Sequence, residues 1–307
     1  MGKQGDKFIT IEEAVSLIPD GCSITFSGFG HTLTPMAVIR EMIRQRKGGL
    51  HVIGVGEAWA IDMLAGAGLV SKVWLSNFMF EGYGRCKNFS RAVEQGRIEV
   101  EDCSHYGQIS RFQAGGTGLP FMPVLSMMGS DIEGVTSDSG FVKSKRIECP
   151  FTGQQLLALP AIKPDVAVIH ASRADDRGNV QLFGHSTSID EQARASKRVI
   201  VTVEEIVPHE EISRYPELTL LPGFLVDCVV KVPYGAHPTG MYRYYSEDKE
   251  HMDLYMNASQ SEEGIREYLD KYVYGVSDHW DYLKRMPVEH LLKLKADPYL
   301  GYRMQEA

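Results

Sequence analysis

The stretch Asp20-Gly21-Cys22-Ser23-Ile24-Thr25-Phe26-Ser27-Gly28-Phe29-Gly30-His31-Thr32-Leu33-Thr34-Pro35 decides how the rest of the chain is read. Cys22 to Phe26 is β-rich, Ser27 to Gly30 is small apart from Phe29, and after Pro35 the apolar residues Met36, Ile39, Met42 and Ile43 recur at helical spacing. That is a strand, a tight loop and a helix start. Gly28 and Gly30 let the backbone take positive φ and let a ligand approach the amides. Pro35 suits the first helical position, where no amide donor is lost. Free N–H groups in such a loop attract anions and developing oxyanions.

Outward from this stretch the same plan repeats. Upstream, Thr10 with Glu13 forms a capping box for a short helix carrying Val15, Leu17 and Ile18. Downstream, Leu50 to Val55 reads as a buried strand ending in Gly54-Val55-Gly56-Glu57. A helix from about Ile61 to Ala67, a strand from Val73 to Leu75 and the glycine- and aromatic-rich loop Ser76 to Gly84 follow. A helix through Phe89, Ala92 and Val93 then runs to Gly96. This β-α alternation implies an α/β fold, an open, mainly parallel sheet with helices on both faces. Ligands in such sheets collect at the carboxyl ends of the strands, so Ser27–Gly30, Gly54–Glu57 and Asn77–Gly84 are expected to border one crevice. Glu57 is a candidate carboxylate there, and its position equally suits charge compensation of a helix N-terminus.

The second informative stretch is Ile98-Glu99-Val100-Glu101-Asp102-Cys103-Ser104-His105, a strand running into a helix with Ile109 and Phe112. Adjacent Glu101 and Asp102 offer a carboxylate whose pKa burial or a like charge would raise, as acid–base chemistry needs. Asp102 or Ser104 equally suits helix capping. His105 is the group of this segment that titrates near neutral pH. Residues 130–150 are polar and read as a surface excursion or flap. Further strands are expected at Asp165–His170, Val180–Leu182, Val199–Val203 and Val226–Val232, with a turn at Asp175–Asn179. The part from about 260 to 307 is helical in pattern, with Ile265, Leu269 and Tyr272 on one face. No repeat or low-complexity linker divides the chain, so residues 1–307 read as a single domain.

Composition narrows the function classes. Of 307 residues 43% are apolar, enough for a large core, and the net charge of −8 argues against nucleic acid as a partner. No apolar run reaches membrane-spanning length, and Met1–Lys7 is short and polar for a signal peptide, so a cytoplasmic location away from membranes is expected. The five cysteines are widely spaced without Cys-x-x-Cys, which indicates neither a disulfide framework nor a metal site.

The opening stretch resembles the signature of the alpha-type chains of family I coenzyme A transferases: Asp20-Gly21, an apolar strand, Gly28-Phe29, a spacer and Pro35. Ser27 and Leu33 stand where many members have glycine. The resemblance extends through Ile98–Ser104, Gly118-Leu-Pro-Phe-Met-Pro123, His170-Ala-Ser-Arg-Ala-Asp-Asp-Arg-Gly-Asn179, Pro233-Tyr-Gly-Ala-His-Pro238, Tyr244–Asp248 and Gly301-Tyr302. Over nearly the whole chain it is similar to glutaconate-type CoA-transferase alpha subunits. The resemblance implies the NagB/RpiA/CoA-transferase-like fold and a homologous beta subunit in a heterotetramer or hetero-octamer. A glutamate of that beta chain forms the glutamyl-CoA intermediate, the coenzyme A thioester being substrate and no cofactor being permanently bound. This chain is then expected to supply the oxyanion and carboxylic-acid side of the site through Ser27, Gly28, Phe29, Gly30, His31 and Thr32. Leu33 and Thr34 are neutral where glutaconate-type chains tend to place a cation before the proline, which points to a less charged acid.

Two other readings are set beside this one. A ring-opening, CoA-thioester-dependent carbon–carbon hydrolase branch of the same superfamily carries its key glutamate in the segment corresponding to Glu101–His105. Asp102 and His105 are the nearest candidates here, and neither is glutamate. A dinucleotide-binding oxidoreductase would use Gly28-Phe29-Gly30 with Glu57, but Leu33 occupies the place of the third glycine.

Overall fold

The computed structural model describes residues 7–133, 144–297 and 299–302. Its strands are β1 (Ser23–Phe26), β2 (Leu50–Ile53), β3 (Val70–Leu75), β4 (Glu99–Asp102), β5 (Phe121–Val124), β6 (Lys145–Glu148), β7 (Gln155–Pro160), β8 (Val166–Ala174), β9 (Val180–Gln181), β10 (Arg198–Ile206), β11 (Thr219–Leu221) and β12 (Cys228–Lys231). Seven of them run parallel in the spatial order β12-β10-β8-β1-β2-β3-β4. The expected mainly parallel α/β sheet is therefore present. β8 is buried at eight of its nine positions, as a strand covered on both faces must be.

Side chains of one strand alternate between two cores. Ile24, Phe26 and Val52 face helices α1 (Ile11–Ser16), α2 (Met36–Arg44), α3 (Ala58–Gly66) and α4 (Lys87–Glu94). On the other face Ile53 and Val55 pack with Phe112 of α5 (His105–Thr117) and with Ala195 of the helix Ile189–Ala195. The capping box of α1 forms, Thr10 accepting from Glu13 N–H and Glu13 from Thr10 N–H. Pro35 is the N-cap of α2 rather than its first helical residue, one place earlier than its fixed φ suggests.

The strand β8 is longer than its neighbour. Its first residues pair with β1, Ile24 to Phe26 against Val166 to Val168, and its last pair antiparallel with β9, Arg173 against Gln181. With β11 on its far side, β9 forms a short antiparallel arm that continues the sheet past the end of β1. The arm brings Phe183, Gly184 and His185 to the signature loop.

Sequence reasoning did not foresee the second sheet, antiparallel in the order β5-β7-β6. Pro120 and Pro123 obscured it, and Pro123 is tolerated because β5 is an edge strand. Lys145–Glu148 of the expected flap forms the other edge, while residues 134–143 lie outside the described residues. The C-terminal helices begin at Lys249, earlier than expected, and end at Leu294. Ile265, Leu269 and Tyr272 are buried as their spacing required. No described helix is long and apolar enough to cross a membrane.

Candidate active site

Each strand end brings one piece of the crevice. After β1 the chain turns through Gly28 (φ 130°) and Gly30 (φ 59°), then through Leu33 (φ 65°), a left-handed position that a non-glycine residue adopts only under strain. Ser27 closes this loop from inside. Its hydroxyl donates to the Leu33 carbonyl at 2.7 Å and accepts from His170 N–H at 2.8 Å, and its own N–H donates to Val168. Ser27 is fully buried and has no donor left for a ligand. Phe29 and Thr32 exchange two backbone bonds of 3.2 Å across the turn. The amides of Gly28 and Gly30 have no hydrogen-bond partner among the described residues. They are fixed, unpaired donors of the kind that stabilises a tetrahedral oxyanion.

Two imidazoles flank the loop in opposite tautomers, assigned from their partners. Trp59 Nε1–H donates to His31 Nδ1 at 3.1 Å, so the proton of neutral His31 sits on Nε2. Ser76 donates its one hydroxyl proton to the Val55 carbonyl at 3.2 Å, so His105 Nδ1–H donates to Ser76 Oγ at 3.2 Å, leaving His105 Nε2 as an acceptor. Burial lowers the pKa of both rings from 6.5. Phe29 lies between His105 and His185, with ring centroids 6.1 and 6.2 Å away, and His185 Nε2 meets Thr32 Oγ1 at 3.0 Å.

The carboxylates are less alike than the sequence suggested. Glu57, 1% exposed, accepts from Val55 and Gly56 N–H at 3.1 and 3.0 Å, while its Oε1 has no partner among the described residues. Burial pushes it up to about 8, against the pull of those amides. It lies directly behind Gly28, not open to the crevice. Of the pair on β4, Glu101 is the buried member, 3.4 Å from the Arg111 guanidinium and raised to about 7 by burial in spite of that cation. Asp102 is exposed and raised by partial desolvation, and helix α5 is capped by Ser104, which accepts from Gly107 N–H. Three residues at this end are not among the site candidates read from the sequence, although Glu81 lies in the Asn77–Gly84 loop expected at the crevice and Glu247 in the Tyr244–Asp248 motif. Glu81 (φ 46°) has its Oε1 3.8 Å from where a Cβ of Gly30 would stand, His185 arrives on the β9 arm, and Glu247 arrives with the C-terminal segment. His185 had no sequence signal, because only the path of the chain through β9 brings it here.

Behind the loop is a fully paired buried carboxylate. Glu204 on β10 accepts from Tyr245 Oη at 2.6 Å, from Tyr234 and Gly235 N–H, and meets His170 Nε2 at 2.8 Å, while His170 Nδ1 meets Thr202. Tyr234, Gly235 and Tyr245 thus serve as a foundation beneath the loop rather than as solvent-facing groups.

The profile of the family described as Coenzyme A transferase matches residues 8–232. An uncharacterized protein of Archaeoglobus fulgidus is 42% identical over 92% of this chain, which spans 62% of that protein's length. A 3-oxoadipate CoA-transferase subunit of Pseudomonas knackmussii is 36% identical, covering 89% of this chain and 95% of that one. A glutaconate CoA-transferase subunit of Acidaminococcus fermentans is 32% identical over 97% of both, and the crystal structure of that enzyme superposes with a TM-score of 0.91. More distant, at 26% identity over 91% of this chain and 96% of the relative, is the cholesterol ring-cleaving hydrolase IpdA subunit of Rhodococcus jostii. The strand-loop-helix signature, the parallel sheet and these matches agree: the chain belongs to the coenzyme A transferase family.

Proposed function

We propose that this chain is the alpha-type subunit of a heteromeric acyl-CoA:carboxylate CoA-transferase, contributing the oxyanion and acid-binding side of a site completed by a homologous beta chain. The observation that carries the reading is the pair of unpaired amides at Gly28 and Gly30, held rigid by Ser27 at the end of β1. The carboxyl-bearing residue packed behind Gly28, Glu57, faces inward and is held by amides, so it is poorly placed as a nucleophile. In this reading the attacking carboxylate is the glutamate of the beta chain, as the family resemblance implies. It adds to the thioester carbonyl, the amides receive the oxyanion, and the coenzyme A thiolate leaves to give a mixed anhydride. The thiolate then attacks the glutamyl carbonyl and releases the acid, and an acceptor acid runs the sequence in reverse.

The test uses the chain co-purified with its beta-type partner. Acyl-CoA thioesters are incubated with and without acceptor acids, and the CoA species are separated by chromatography. The expected result is a new acyl-CoA that forms only with an acceptor while free CoA stays constant, and no turnover by this chain alone. Ring opening of a cyclic β-diketone CoA thioester without acceptor, with coenzyme A still attached to the product, would instead support the hydrolase reading and direct attention to His105 and Asp102.

A further inference from the structure

A cleft of about 290 Å3 opens beside the signature loop, roughly ten water volumes. It begins at Thr32 and Leu33, so it is continuous with the loop that bears the unpaired amides, and its walls include Phe183, Met241, Tyr242 and Tyr245. The polar ends of this wall are already engaged: Tyr245 Oη donates to Glu204 at 2.6 Å, and His185 Nε2 meets Thr32 Oγ1 at 3.0 Å. Burial lowers the pKa of His185 from 6.5. Among the described lining residues there is no lysine or arginine, and the charged one is Glu247. The neighbouring cations stand outside the lining. Lys249 Nζ is 3.9 Å from Glu247, and the Arg173 and Arg243 guanidiniums lie against the Phe183 ring at 5.1 and 4.6 Å. A guest's apolar chain would be desolvated favourably here, while a second carboxylate would lose its hydration and face Glu247.

We propose that this cleft takes the acyl chain of an apolar monocarboxylic acid of medium length, and that Glu247 discriminates against dicarboxylic acids. The proposal rests on the reading of the adjacent loop as the acyl-transfer site. It sets this chain apart from the two relatives named after glutaconate and 3-oxoadipate.

The test pairs two acids of equal length, hexanoate and adipate, on the complex with the beta-type partner. Calorimetry measures binding of each free acid, and chromatography separately follows CoA transfer to it from acetyl-CoA. Hexanoate is expected to bind at least about tenfold more tightly than adipate. Glu247→Gln is expected to strengthen adipate binding by about threefold or more and to leave hexanoate within about twofold. Adipate binding as tightly as hexanoate overturns the proposal, as does absence of binding by both acids or an equal shift of both by Glu247→Gln. Preferential hexanoate binding without CoA transfer to any acid leaves the cleft assignment standing and overturns the transferase reading.

Discussion

A Cβ placed on Gly28 would stand 3.0 Å from the Cβ of Glu57 and 2.7 Å from Thr34 Oγ1. Gly28 therefore lacks a side chain for two reasons at once, its φ of 130° and the carboxyl-bearing residue packed behind it. Gly28→Ala combines backbone strain with overpacking, each about 1–3 kcal/mol. A loss of about 2–5 kcal/mol in stability is expected, read from urea unfolding of the chain, with a further loss of transfer activity in the complex. A change below about 1 kcal/mol would mean that the loop relaxes and the contact carries no constraint.

Glu57 sets a pH dependence of stability. Folding raises its pKa from 4.5 to about 8, chiefly by burial. Between those values the native state holds a proton that the unfolded chain has released, so this contribution is complete below about pH 4.5 and is lost as pH rises to about 8. The slope is at most about 1.4 kcal/mol per pH unit. Glu57→Gln should flatten the difference in urea midpoint between pH 5 and pH 8. An unchanged slope in the variant would place the pH dependence on another group.

His31 and His105 should show opposite tautomers in 15N NMR of the labelled chain, with the proton on Nε2 in His31 and on Nδ1 in His105. Both should titrate below 6.5, the direction in which burial moves them. Trp59→Phe removes the donor to His31 Nδ1 and should change the His31 signals while sparing His105. Identical tautomers in the two rings would remove the donor and acceptor roles assigned to them.

Leu33 has the backbone of a glycine and the burial of a core residue, at φ 65° and 2% exposure. Leu33→Gly relieves about 1–2 kcal/mol of left-handed strain but forfeits a buried leucine, worth about 2–5 kcal/mol on truncation to alanine. Packing outweighs strain, so a net destabilisation of about 1–3 kcal/mol is expected from denaturant unfolding. A stabilised variant would reverse that ranking.

The loop between β1 and α2 was legible because each of its elements leaves a local mark: an apolar run, glycines where φ must be positive, then helical spacing. Helix α5 was legible for the same reason, down to Ser104 as one of its two possible caps. The β5-β7-β6 sheet left no such mark, because Phe121-Met122-Pro123 looks like a loop until β7 is known to lie beside it. The pair Glu101 and Asp102 was recognisable as a pair, but which carboxylate is buried depends on the side of β4 that α5 covers. Sequence order also hides why Ser27 is where it is. It reads as a ligand-facing residue of the loop, and the structure shows it serving β8 and the Leu33 carbonyl.

The bond from His170 N–H to Ser27 Oγ joins residues 143 positions apart, and the Glu204 cluster that holds the His170 ring reaches further still, to Tyr245. Such non-local contacts form only after the loop-closure entropy of the intervening chain has been overcome. The shape of the signature loop therefore depends on contacts that β8, β10 and the segment around Tyr245 supply. A nascent chain that has emerged only as far as α5 already carries every residue of the signature without β8, β10 or Tyr245 to set it.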